Sequence, residues 1–198
     1  MKRVVLFSVP TATNIQKILD AFFPPELENR AFAYMPSDGA NSKQKYADLW
    51  QAWVEGRGAT FVPINNSLEG DTAATEAQKL LTCDVLCMTG GNTYTLLRNL
   101  RRSGMDKAVV KFAKKDNFVI GGFSAGAIVL SPTIGVCEIE GFDANTVGLT
   151  NLTALSLINF EVFPHYEEKW KEQAASYERH NNLVLKRVTD EDVVVIDL

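Results

Sequence analysis

The sequence predicts an α/β fold, a three-layer sandwich around a mostly parallel sheet joined by right-handed crossovers. Two patterns carry this. The apolar runs are short and continuous rather than alternating, as strands covered on both faces require. Segments with helical spacing separate those runs. In addition, 198 residues with 46% hydrophobic and 22% charged side chains suit one compact domain, residues 1–198, with a sizeable core.

The elements follow in order. The first apolar run, Val4–Val9, comes after Met1-Lys2-Arg3. A basic start before an apolar stretch resembles a signal peptide, but Pro10 cuts it short, so a first buried strand is expected. Further strands are expected at Ala31–Met35, Thr60–Val62, Val85–Met88 and Phe118–Ile120. A helix starts at Ser42, a good N-cap, and sets Tyr46, Leu49, Trp50, Trp53 and Val54 on one face before Gly56 and Gly58 close it. That stripe is read as packing against the sheet. Helices follow over Asp71–Leu81, from Asn92 or Thr93 to Gly104, and over Met105–Lys115. Residues 132–156 carry Gly135, Gly141 and Gly148 among short apolar pieces and read as loops with room for a hairpin. Leu157–Phe163 reads as a strand, Glu167–Arg179 as a charged helix and Val193–Ile196 as a last strand.

Composition excludes several classes. A net charge of −4 and a pI near 5.3 argue against nucleic-acid binding, which needs a basic patch. No apolar run approaches the roughly 18 residues of a membrane span. Cys83, Cys87 and Cys137 are too few for a disulfide framework and point to a reducing cytoplasm. Cys83 and Cys87 can face one side of a strand, but no nearby histidine or third thiol completes a zinc site, so both are read as core. No metal and no cofactor is expected.

The most informative motif is Gly122-Phe123-Ser124-Ala125-Gly126, directly after a buried strand. In this G-x-S-x-G pattern the glycines allow a sharp turn that presents the serine hydroxyl above the sheet edge. A following helix, Ala125–Ser131, stops near Pro132 and brings free N–H groups beside the serine. As mere packing, the same turn needs only a small residue. A serine nucleophile needs a base, and the chain has two histidines. His165 stands just past a strand, stiffened by Pro164; His180 ends a polar helix and reads as a solvated cation. His165 is therefore the candidate base.

A carboxylate should orient that base. Acids on the 167–179 helix read as a solvated face, whereas Asp190, Glu191 and Asp192 sit in a turn entering the final strand, with Asp190 the first choice. The order Ser, His, acid differs from α/β-hydrolases, where the acid precedes the histidine. A second glycine turn, Thr89-Gly90-Gly91-Asn92-Thr93, opens a helix, so the Gly91 and Ala125 N–H groups form a candidate oxyanion hole. Its spacing matches neither common phosphate-binding motif.

Thr89-Gly90-Gly91-Asn92-Thr93 with Leu96-Leu97, then Gly122-Phe123-Ser124-Ala125-Gly126-Ala127, then Leu155-Ser156-Leu157 leading to Pro164-His165-Tyr166, resemble the peptidase S51 family. That family includes aspartyl dipeptidase and cyanophycinase. The resemblance spans roughly residues 85 to 195. It implies a flavodoxin-like fold similar to class I glutamine amidotransferases, and a Ser-His-Glu/Asp triad carried onto Ser124, His165 and an acid near Asp190. The chain ends at Leu198, where relatives often continue, as in a short member or one with an incomplete terminal hairpin. The implied substrate is a small peptide, dipeptidase-like, with an N-terminal aspartate as one option. Lys169, Lys171 and Arg179 lie in the stretch where a cation for that aspartate is expected, but read as surface charges. The chain is expected to act as a monomer or homodimer. Two other readings stand beside this one. One is a non-catalytic binding or regulatory protein on the same scaffold with a degenerate triad. The other is amidotransferase-like chemistry, which usually places cysteine at the elbow where this chain has serine.

Overall fold

The computed structural model describes residues 1–25, 27, 30–39 and 44–198. Its centre is a six-stranded sheet in the order β3-β2-β4-β5-β1-β8. The strands are β1 (Lys2–Phe7), β2 (Ala31–Met35), β3 (Thr60–Pro63), β4 (Val85–Met88), β5 (Phe118–Phe123) and β8 (Val193–Asp197). The first five run parallel, and β8 returns antiparallel along β1. The sheet is the expected mostly parallel one.

Burial on both faces explains the continuous apolar runs. Along β1, Val4 and Leu6 enter one core cluster while Val5 and Phe7 enter the other. One face is covered by α1 (Ile15–Phe22) and α2 (Gln44–Glu55), around stacked Phe7, Phe32, Trp50 and Phe123. The other is covered by α3 (Gly70–Leu81), α4 (Thr93–Ser103), α5 (Met105–Phe112) and the single turn α6 (Ala125–Ile128). Among the described residues no helix is long and apolar enough to cross a membrane.

Several expectations need correction. The Ser42 cap lies outside the described residues, and of the α2 stripe only Trp50 and Val54 are buried; Tyr46 and Leu49 are exposed. Cys83 and Cys87 are both core residues, but they enter opposite clusters rather than one face. Helix α6 is shorter than 125–131 because the chain turns away to pair the carbonyls of Val129, Leu130 and Ser131 with N–H groups of Leu155–Ile158. The 132–156 segment holds a one-turn 3-10 helix and a single antiparallel bridge, Thr133 to Thr153, in place of a hairpin. The strand expected over 157–163 shrinks to β6 (Glu161–Phe163) and leaves the main sheet to pair in parallel with β7 (Leu185–Arg187), which had no expectation. Helix α7 (Lys171–Asn181) lies between them.

The topology decides where the site falls. Parallel β1, β4 and β5 end level, with Leu6 and Met88 both opposite Gly122. Strand β8 runs the other way, with Val193 opposite Phe7, so the turn entering it arrives at that same edge. The elbow serine, the end of β1 and the acidic turn thus meet at one end of the sheet.

Candidate active site

Ser124 stands between β5 and α6 with φ 51° and ψ −120°, an uncommon conformation for a residue with a side chain. Its N–H donates to the Phe7 carbonyl at 3.2 Å, and its own carbonyl accepts from Ala127 and Ile128. The flanking glycines are required by contact. A Cβ on Gly122 would lie 2.3 Å from the carbonyl carbon of Gly126, and one on Gly126 would lie 2.1 Å from the Met88 carbonyl oxygen. The elbow is therefore two backbone segments pressed together, a spacing that no larger residue allows.

His165 also has positive φ, 53°, one of four such non-glycine residues among the described ones. A buried serine holds it there. The His165 N–H donates to Ser8 Oγ at 2.8 Å, and Ser8 Oγ donates to the Val188 carbonyl at 2.9 Å. Tyr166 N–H reaches the same carbonyl at 3.0 Å. One hydroxyl thus ties the ends of β1, β6 and β7 together. The ring then meets the acidic turn: His165 Nδ1 lies 2.7 Å from Asp190 Oδ1. The two side chains are 41% and 55% exposed, so this contact alone orients the ring weakly.

The other two acids have different partners. Asp192 folds back to accept the Thr189 N–H and hydroxyl, both at 2.8 Å. Those bonds, backbone first, hold its carboxyl below its ordinary range. Glu191 accepts from the Thr13 hydroxyl. Asn14, 3% exposed, donates to the carbonyls of Val9 and Asp190 at 3.0 and 2.9 Å. The β1–α1 loop thus braces both the histidine and the acid.

The second glycine turn lies against the elbow: a Cβ on Gly90 would be 3.1 Å from Ser124 Cβ. Among the described residues, the N–H groups of Gly91 and Ala125 take part in no backbone bond outside the helices, and Ala125 begins α6, where first-turn N–H groups have no helical acceptor. No hydrogen bond joins Ser124 Oγ to His165; the His165 bonds go to Ser8 and Asp190. His180 is exposed at the end of α7, as expected of a solvated residue.

The family model for peptidase family S51 matches residues 6–197. The chain belongs to peptidase family S51. It is a serine-type peptidase, a hydrolase, as that family is. An uncharacterized peptidase of Listeria innocua is 34% identical over 173 residues, covering 86% of this chain and 74% of that one. The peptidase E of Citrobacter koseri is 26% identical over 176 residues, covering 85% and 69%. The crystal structure of a protein described as a candidate peptidase E from Listeria monocytogenes superposes with a TM-score of 0.74 at 24% identity, covering 100% of this chain and 99% of that one. This last likeness speaks to the fold.

Within this S51 member, Ser8 and Asn14 escaped sequence reasoning, because both look like ordinary loop polars after a strand. Their partners lie 157 and 176 residues away. Two sizeable clefts, about 660 and 580 Å³, lie elsewhere: one is walled by α4, α5 and residues 151–155, the other by α2 and β3, and neither includes Ser124, His165 or Asp190.

Proposed function

We propose that this S51 peptidase hydrolyses small peptides, in the manner of a dipeptidase, through Ser124, His165 and Asp190, with residues 1–198 acting as one catalytic domain. The observation that carries the reading is the 2.7 Å contact between His165 Nδ1 and Asp190 Oδ1 at the sheet edge where the elbow serine stands. A carboxylate on Nδ1 favours the tautomer with hydrogen there, leaving the Nε2 lone pair for the serine proton.

The steps follow from that assignment. Ser124 Oγ bonds to the peptide carbonyl carbon, its proton moves to His165 Nε2, and the carbonyl π pair becomes an oxyanion. The N–H groups of Gly91 and Ala125 stabilise that charge. Collapse reforms the carbonyl and breaks the C–N bond, and the amine leaves with the proton from His165. Water then repeats the sequence on the Ser124 ester, releasing the acid.

Lys169 and Lys171 are engaged by Glu167 and Glu168 on the surface, and Arg179 is exposed on α7. The reading therefore stays with small peptides, and an N-terminal aspartate is one arm of a dipeptide panel with acidic, basic and neutral first residues. Three buried free thiols fit a reducing cytoplasm, with the enzyme a monomer or homodimer.

The test is covalent labelling with a fluorophosphonate. Ser124 Oγ attacks phosphorus, fluoride leaves and the proton passes to His165. Stoichiometric labelling is expected in the wild type and none in Ser124→Ala, whose melting temperature should barely move. Undiminished dipeptide turnover by Ser124→Ala ends the assignment. A wild type inert to probe and panel across a pH series would instead favour the non-catalytic reading.

A further inference from the structure

The Gly90 carbonyl is held from two sides. Ser37 Oγ donates to it at 2.8 Å and Thr89 Oγ1 at 3.0 Å. Both residues are buried, 4% and 5% exposed. Ser37 is itself fixed: its N–H donates to Thr89 Oγ1 at 3.1 Å, and its carbonyl accepts from Asn99 Nδ2 at 3.3 Å. The preceding Pro36 carbonyl accepts from the buried Asn66 side chain at 2.9 Å. A network of four polar side chains from four chain segments thus ends on one carbonyl oxygen.

In a trans peptide the C=O of one residue and the N–H of the next point in opposite directions. Fixing the Gly90 carbonyl therefore fixes the Gly91 N–H. A Gly-Gly peptide needs such a hold, because glycine crosses between positive and negative φ at little cost and the unit can rotate. Gly91 has φ 139°, and a Cβ there would lie 2.0 Å from Ser37 Oγ. The serine hydroxyl occupies the space that any other residue would use.

We propose that Ser37, assisted by Thr89, is a positioning residue of the oxyanion site, acting through the Gly90–Gly91 peptide. It touches neither substrate nor the reacting atoms. The proposal rests on the reading that the Gly91 N–H stabilises the oxyanion.

Fluorophosphonate labelling tests it without a known substrate, because the phosphonyl oxygen takes the place of the oxyanion. The second-order labelling rate of Ser37→Ala and of Thr89→Val should fall roughly 10- to 100-fold, less than the loss from deleting a donor outright. Thr89→Ser keeps the hydroxyl and should label within about threefold of wild type. The midpoint of the pH–rate profile should stay where it is, since His165 and Asp190 are untouched. With any dipeptide the panel yields, kcat should fall by the same factor and KM by less than about twofold. Labelling of Ser37→Ala and Thr89→Val at the wild-type rate overturns the proposal. So does a displaced pH midpoint, or a loss in Thr89→Ser as large as in Thr89→Val, either of which marks general disruption. If Ser37→Ala does not fold, the Thr89 pair decides alone. A wild type that takes no label fails earlier, on Ser124 itself, and removes this proposal with it.

Discussion

The two halves of the proposed triad are held by different physics. Ser124 belongs to the regular half of the molecule, where β1, β4 and β5 lie in register and backbone packs on backbone at the glycines. His165 and Asp190 belong to the irregular half, where a short strand pair, a 3-10 turn and an exposed acidic turn are strapped by side-chain hydrogen bonds. The first arrangement is fixed by sterics and fails all at once. The second is fixed by separate polar contacts of modest strength and fails by degrees.

The largest effect should come from the regular half. Gly126→Val drives a side chain into the Met88 carbonyl, so the cooperative thermal transition should disappear. A folded Gly126→Val with a normal melt would show that the elbow has slack, and the contrast between the halves would collapse. The next effect is on rate. Asp190→Asn should lower kcat by about 10²- to 10⁴-fold through the wrong histidine tautomer, with stability nearly unchanged, while Glu191→Gln and Asp192→Asn stay close to wild type. Near-normal rates in all three would move the orienting acid elsewhere.

Ser8→Ala sharpens the comparison, because it strips partners from the His165 N–H and the Val188 carbonyl together. A stability loss of about 1–3 kcal/mol is expected by chemical denaturation, with a lower kcat as His165 leaves its positive φ. Unchanged kinetics would mean that Asp190 suffices to place the ring. The smallest effect concerns pH. Bonds from Thr189 lower the Asp192 carboxyl below its ordinary 3.8 in the folded chain. Its stabilising contribution is complete above that value and is lost as pH falls through the folded one. Asp192→Asn should therefore lower stability slightly at neutral pH, where the contribution is complete, and converge with wild type as pH falls below about 4, flattening the acid limb of the stability curve. An unaltered acid limb would show that the turn does not depend on this carboxylate.

What was legible in the sequence follows the same division. The parallel strands were readable because burial on both faces makes them uniformly apolar. The elbow was readable because its glycines are adjacent in the chain. Helix α1, absent from the expected elements, carries its own signal, Ile15, Ile18, Leu19 and Phe22 at helical spacing after Asn14. Strands β6 and β7 were not readable in full: each has three residues, and each exists because the other lies beside it across α7. Ser8 and Asn14 were invisible for a related reason, since a polar residue after a strand shows no sign of a partner far along the chain.

The buried cysteines have a practical consequence. Burial pushes the Cys137 thiol up to about 12, and raises those of Cys83 and Cys87. At neutral pH the native protein therefore presents almost no thiolate to an alkylating reagent. That silence makes the wild-type chain a ready background for a reporter: a cysteine installed at exposed position 180, on α7, would take a fluorophore alone and watch the irregular half move while the rest of the molecule stayed dark.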